Sequence, residues 1–160
     1  MVRFKNRWLL VEFIHTPATA QAAAQAPALD AKRIWAALKQ SILTHFGEIG
    51  WGAVSPSLTV KYFSPTTRMC IIRVARDHHR IAWAGLTLLS TVNGESYVPH
   101  VVHLSGTIKH TQLAAIQHNK IVVARLRAKA AQANKNGVAP PDTHDAYLAQ
   151  SEAEINALQD

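Results

Sequence analysis

One cysteine, Cys70, stands among 160 residues, so no disulfide can form within the chain. A reducing, intracellular compartment is the natural setting, with the lone thiol packed as a small hydrophobe. Long apolar runs are missing as well. Nothing approaches the ~18 apolar residues that a membrane-spanning helix requires, so no membrane partner is expected. The start mimics a secretory signal, with Arg3, Lys5 and Arg7 ahead of the apolar Trp8 to Ile14 and an Ala-rich stretch. That apolar part is short, is interrupted by Glu12 and alternates as a strand does. Acidic residues are scarce in the body of the chain. Through residue 137, only Glu12, Asp30, Glu48, Asp77 and Glu95 stand against 17 Lys and Arg. Paired catalytic carboxylates are therefore hard to assemble, the more so because Asp30 and Asp77 sit where helix caps are needed. There is no Gly-rich phosphate loop, nucleophile elbow or HExxH helix. No catalytic residue is assigned, and the chain on its own is not expected to be an enzyme.

What the chain does have is positive charge, +7 overall, which favours an anionic partner such as nucleic acid. The charge is segregated. Every Lys and Arg lies at or before Lys135, while residues 138–160 hold Asp142, Asp145, Glu152, Glu154 and Asp160 and no base. Residues 136–160 read as an acidic, partly disordered tail. It is a solvating extension, or else a segment that screens the basic body or meets a basic partner.

The remaining pattern is that of one domain, residues 1–135. Trp8 to Ile14 predicts a strand, and the adjoining Ala/Gln/Pro/Thr stretch predicts a flexible linker over 17–28. Asp30 can cap a helix with Ile34, Leu38 and Ile42 on one stripe, ended by Gly47, Gly50 and Gly52. Leu58–Phe63 and Met69–Ala75 predict two strands turned at Pro65. A second helix is predicted from Asp77 to Val92, stopped by Asn93-Gly94. A fourth strand comes next over Val98–Leu104, and a long helix runs from Gly106 to about Ala133 with Leu113, Ile116 and Val123 on one stripe. The order βαββαβ is that of an α+β sandwich of the ferredoxin-like or RNA-recognition-like plan, with an added C-terminal helix. The strands are apolar on both faces, Leu9, Val11 and Phe13 against Trp8, Leu10 and Ile14, so both faces require cover. The last helix is expected to give part of it and a protein partner the rest.

Met69–Ala75 contains no aromatic residue, which disfavours base stacking on an open sheet and leaves phosphate contacts by Lys and Arg. Arg3, Lys5 and Arg7 alternate with Phe4 and Asn6, so an extended arm points all three bases one way. Lys61, Arg68, Arg73 and Arg76 flank the central hairpin. Gly106 and Thr107, with Lys109, lie between strand and helix, where free backbone N–H groups can receive a phosphate. Thr107 can equally be a plain helix cap. Arg125, Arg127, Lys129 and Lys135 read as a solvated face. Nine histidines raise the question of a metal. On a regular strand, however, His100 and His103 point to opposite faces, and no metal site is expected.

Three strings carry a family resemblance: Met1-Val2-Arg3-Phe4-Lys5-Asn6-Arg7-Trp8, Val60-Lys61-Tyr62-Phe63-Ser64-Pro65-Thr66-Thr67 and Ser105-Gly106-Thr107-Ile108-Lys109. In order and rough spacing they resemble the small ferredoxin-like, Pop-five type subunit of ribonuclease P and ribonuclease MRP, over about residues 1 to 125. The resemblance implies a noncatalytic subunit that binds the catalytic part of ribonuclease P or MRP RNA. Its neighbours would be a TIM-barrel-type protein subunit and a second small ferredoxin-like subunit, with precursor tRNA met indirectly or at the edge. The protein itself would bind no cofactor, and Mg²⁺ would act at the RNA active site. The linker and acidic tail depart from the compact archaeal form, which points to a eukaryotic, nuclear and nucleolar version. Two rivals are an independent single-stranded RNA binder of RNA-recognition-like fold and a small ferredoxin-like phosphohydrolase.

Overall fold

The computed structural model describes residues 5–16, 29–133 and 143–159. The linker 17–28 and Arg3 lie outside the described residues. Strand β1 (Asn6–His15) occupies the middle of a five-stranded antiparallel sheet of order β2-β3-β1-β5-β4. It pairs with β3 (Met69–Ala75) on one side and β5 (Glu95–Ser105) on the other; β2 (Thr59–Ser64) and the two-residue β4 (Thr91–Val92) form the edges. A strand apolar on both faces belongs at such a centre, where both faces are covered. On one face Leu9, Val11 and Phe13, with Ile72 and Val74, pack against helices α1 (Ala31–Val54) and α2 (His79–Thr87). On the other, Trp8, Leu10, Met69 and Ile71 pack with Ala115 of α3 (Ile108–Ala133) and Ile155 of α4 (Thr143–Asn156). The expected α+β sandwich with an added C-terminal helix is the observed fold.

Several local expectations are corrected. The Asp30 carboxylate does cap α1, accepting from the Ala31 N–H at 2.7 Å. The helix runs through all three expected glycines to Val54, however, and the first of them to be crossed is Gly47. It passes through that residue as a kink (φ 66°, ψ −169°) and resumes, because the second segment buries Val54 and packs Trp51 on the core. Asp77 caps nothing. It lies in the 3₁₀ turn Arg76–His78 and takes the Arg76 Nε at 3.1 Å. Helix α2 stops at Thr87, and Thr91–Val92 pairs instead with Glu95–Ser96. Asn93 (φ 54°) and Gly94 (φ 87°) are the centre of a hairpin, the turn for which Asn-Gly is the strongest short signal. Of the stripe expected on the long helix, Val123 is buried and Ile116 packs against the second cluster, while Leu113 is 65% exposed. The inner face also buries Thr111, Gln112, Ala115, His118, Asn119 and Val122, a mixture of polar and apolar side chains.

Helices α1 and α2 cross at Gly85, whose carbonyl accepts from the Ser41 hydroxyl at 2.7 Å. A Cβ there would lie 2.6 Å from Ile42 Cγ1 and 3.4 Å from Leu38 Cδ1, both on a buried stripe. Gly85→Ala is expected to lower stability by about 1–3 kcal/mol through overpacking. Urea unfolding reads this as a lower midpoint; an unchanged midpoint would mean the two helices part without cost.

A β-bulge also reorients the histidines. The β1–β5 register shifts between Leu10 and Val11, so that Leu10 faces His103 while Glu12 faces His100. Leu10 and Glu12 are two apart on one strand, so both histidines share the second face rather than opposing faces. His118 of α3 reaches the same face, its Nε2 2.8 Å from Glu12 Oε2. Among the described residues, no three His, Cys, Asp or Glu side chains form a group able to hold a metal.

The acidic tail, read as a solvating extension, carries α4, which packs on α3 and on the second face. Trp8, Leu10, Met69 and Ile71 are fully buried within the single chain. The cover expected from a partner at these residues is therefore supplied in cis. Exposed large apolar side chains lie elsewhere, including Ile49 (90%), Leu113 (65%) and Trp83 (40%).

Candidate nucleic-acid interface

The pairing of β1 decides which basic residues meet. Asn6 and Arg7 face Ala75 and Val74 at the end of β3, and Trp8 faces Ser105 at the end of β5. Segments distant in sequence therefore finish at one end of the sheet: Lys5 and Arg7, then Arg76, then Gly106, Thr107 and Lys109. The Arg76 N–H donates to the Lys5 carbonyl at 2.8 Å, closing the first two together. Arg7 Nη1 donates to the Asn6 carbonyl at 3.1 Å and passes so close to Gly106 that an added Cβ would lie 3.2 Å from it. The glycine is what lets a guanidinium lie against that backbone. Ser105 Oγ accepts from the Thr107 N–H at 3.1 Å, and the Thr107 carbonyl accepts from the Thr111 hydroxyl at 3.2 Å. This fixes the entry to α3, whose first N–H groups have no partner within the helix and whose Lys109 is exposed.

Arg73 belongs to the same end but to the second face, directly opposite Trp8. Its Nε and the Trp8 Nε1 are buried, and neither has a hydrogen-bond acceptor among the described residues. Lys61 and Arg68 stand apart. Lys61 occupies the register shift of the edge strand β2. Arg68 holds the left-handed turn between β2 and β3 (φ 52°), its carbonyl accepting from the Phe13 N–H at 2.9 Å. By strand length, that turn lies about 26 Å from Arg76. Arg80, not among the sequence candidates, is exposed in the first turn of α2, four residues after Arg76.

A second charged contact joins α3 to α4. Arg127 Nη2 donates to Asp145 Oδ1 at 2.6 Å, and Lys120 Nζ lies 4.0 Å from Glu152 Oε2. Beneath these pairs, Ser151 is bonded to the Tyr62 hydroxyl (2.9 Å) and to Asn119 Nδ2 (2.6 Å), and the Tyr147 hydroxyl bonds Ser64 and Thr67. Gln112 Nε2 donates to the carbonyls of Ile155 (2.7 Å) and Leu158 (3.1 Å), capping the end of α4. Burial, against the lowering effect of the Ser151 hydrogen bond, pushes the Tyr62 hydroxyl above its ordinary value of 10.0. Burial likewise pushes the Cys70 thiol far above the usual thiol range, which leaves it no use as a nucleophile.

The arrangement offers convergent cations and open backbone donors, suited to an extended polyanion. Residues 7–116 match the model of the Rpp14/Pop5 family. The chain is 44% identical over 124 residues to the ribonuclease P/MRP protein subunit POP5 of Schizosaccharomyces pombe, covering 75% of this chain and 89% of that protein. It is 33% identical over 121 residues to the probable ribonuclease P/MRP protein subunit POP5 of Arabidopsis thaliana, covering 75% and 80%. The human POP5 subunit is 25% identical over 124 residues, covering 75% and 73%. Among solved structures, a chain of the yeast ribonuclease MRP cryo-EM structure superposes with a TM-score of 0.52 at 10% identity, covering 98% of this chain and 95% of that one, a likeness of fold.

Proposed function

This chain belongs to the Rpp14/Pop5 family, and on that premise we propose that it is a noncatalytic protein subunit of the ribonuclease P and ribonuclease MRP ribonucleoproteins. Its task is to bind and stabilise the catalytic domain of the RNA, serving 5′-end maturation of precursor tRNA and processing of ribosomal RNA. The observation that carries the RNA-binding role is the convergence of Lys5, Arg7, Arg76 and Lys109 on one end of the sheet, beside the open N–H groups of α3. RNA folded on itself brings phosphates close, and cations fixed on a rigid sheet offset that repulsion with little further ordering cost. Hydrolysis is then the RNA's own, with Mg²⁺ at its active site, and the protein holds the geometry in which it occurs. In this reading the other partners are a TIM-barrel-type subunit and a second small ferredoxin-like subunit, in the nucleus and nucleolus. Precursor tRNA is met at the edge of the assembly.

The test is to isolate the tagged protein from native extract and sequence the RNA that accompanies it. A single structured RNA of ribonuclease P type, alone or with its MRP relative, is the expected result. A mixture of short RNAs would overturn the proposal in favour of an independent single-stranded RNA binder.

A further inference from the structure

Helix α3 carries Lys109, Lys120, Arg125, Arg127 and Lys129 and not one acidic residue; indeed no Asp or Glu occurs from Ser96 to Pro141. Among the described residues, Glu12 of β1 lies against His118 of α3, while the carboxylates that meet its Lys and Arg come from α4, where Asp145 meets Arg127 and Glu152 meets Lys120. Both pairs are solvent-exposed, so they are open to exchange and to screening by salt. The rest of the α4 contact is mainly polar, through Tyr147, Ser151 and the carbonyls held by Gln112, with Ile155 as its fully buried aliphatic residue. Ile155 ties the helix to the second cluster, but its other contacts are exposed pairs and hydrogen bonds, which open more readily than the sheet beneath them. A separate observation concerns the face that α4 helps to cover. There Trp8 Nε1 and Arg73 Nε, side by side across β1 and β3, are left without an acceptor among the described residues. Buried donors in this condition are rare and mark a place where an acceptor belongs.

We propose that α4 is a displaceable anionic cover: in the free chain Asp145 and Glu152 occupy positions on α3 that RNA phosphates take in the ribonucleoprotein. RNA that docks on Arg127 and Lys120 releases α4 from the second face and brings acceptors to Trp8 and Arg73. The inference rests on the RNA-binding reading above and extends its surface from the end of the sheet along α3. It also gives the tail a reason to be acidic, since the same charges that mimic phosphate keep α3 from unspecific polyanions until the right RNA competes.

Hydrogen exchange on the full-length protein tests it, using as probe a transcript of the structured RNA that co-purifies with the chain. The amides of Leu148–Asn156 are expected to exchange at least about tenfold faster when RNA is bound, the mark of a locally opened element. In parallel, Asp145→Asn/Glu152→Gln is expected to bind the transcript about 3- to 10-fold more tightly, with a log–log salt slope steeper by about 1–2. The control, Glu48→Gln/Glu154→Gln, changes net charge equally without touching α3's bases. Retained or increased protection of α4 in the complex would overturn the inference while leaving the RNA-binding reading intact, as would equal effects of the two charge pairs. A wild-type chain that fails to bind the transcript would overturn the reading itself.

Discussion

Trp8→Ala is expected to remove about 3–5 kcal/mol of folding stability, the range for deleting a fully buried aromatic side chain. Against a total of about 5–15 kcal/mol for a domain, the variant would be near its limit at room temperature. The reason is position. Trp8 is fully buried on the central strand, between Arg73 and Ser105, in the cluster that α3 and α4 close from above. Trp8→Phe is the discriminating companion. The indole N–H has no acceptor among the described residues, so its loss carries no hydrogen-bond penalty, and phenylalanine should retain well over half of what alanine loses. Urea midpoints measured on both variants check this. An alanine variant within about 1 kcal/mol of wild type would mean that the second face is not a core at all.

The largest effect on binding should come from the end of the sheet. Arg7→Ala, Arg76→Ala and Lys109→Ala combined are expected to weaken binding of the structured RNA roughly 100-fold at ~0.1 M salt, and to flatten the log–log salt slope by about 2–2.7, because each phosphate contact contributes about 0.7–0.9 to that slope. Stability should change little. Lys109 is exposed, and the Arg76–Asp77 pair is a surface contact of the kind worth under ~1 kcal/mol. Lys61→Ala and Arg68→Ala, at an edge and at the far turn, serve as controls for loss of positive charge elsewhere on the sheet. If their removal flattens the slope as much as the triple variant does, the interface lies along β2 and not at the end of β1.

Most of the fold was legible because its signals are local and repeat. The strands alternate, α1 shows its i, i+4, i+8 stripe, and Asp30 caps where such a residue should. The errors occur where a local signal has two physical uses. Asn93-Gly94 stops a helix or turns a hairpin, and only the partner strand Glu95–Ser96 decides between them. Gly47 ends a helix unless the next segment has a core to reach, as Val54 does. His100 and His103 share a face because of one extra residue in the ladder, which no periodicity announces. Helix α4 was hidden for a different reason. Its buried side is made of Tyr147, Ser151 and Ile155, a composition that looks like solvated tail until Tyr62, Asn119 and Gln112 are known to wait beneath it. Of the candidate site, residue types were readable but company was not. Arg7, Arg76 and Gly106 are neighbours only through strand pairing, and the same pairing puts Arg68 at the opposite end of β3.

That pairing also sets an order in time. The central strand is synthesised before both of its neighbours, which arrive roughly 60 and 90 residues later along the chain. Non-local pairing of this kind is slow to form and cannot be completed while the chain is still short. The cluster of cations therefore does not exist on a nascent chain at the ribosome, where RNA is abundant and mostly the wrong kind. It comes into being only after β5 has been made and has closed on β1, so on the proposed function the ability to grip RNA is acquired together with, and not before, the finished sheet.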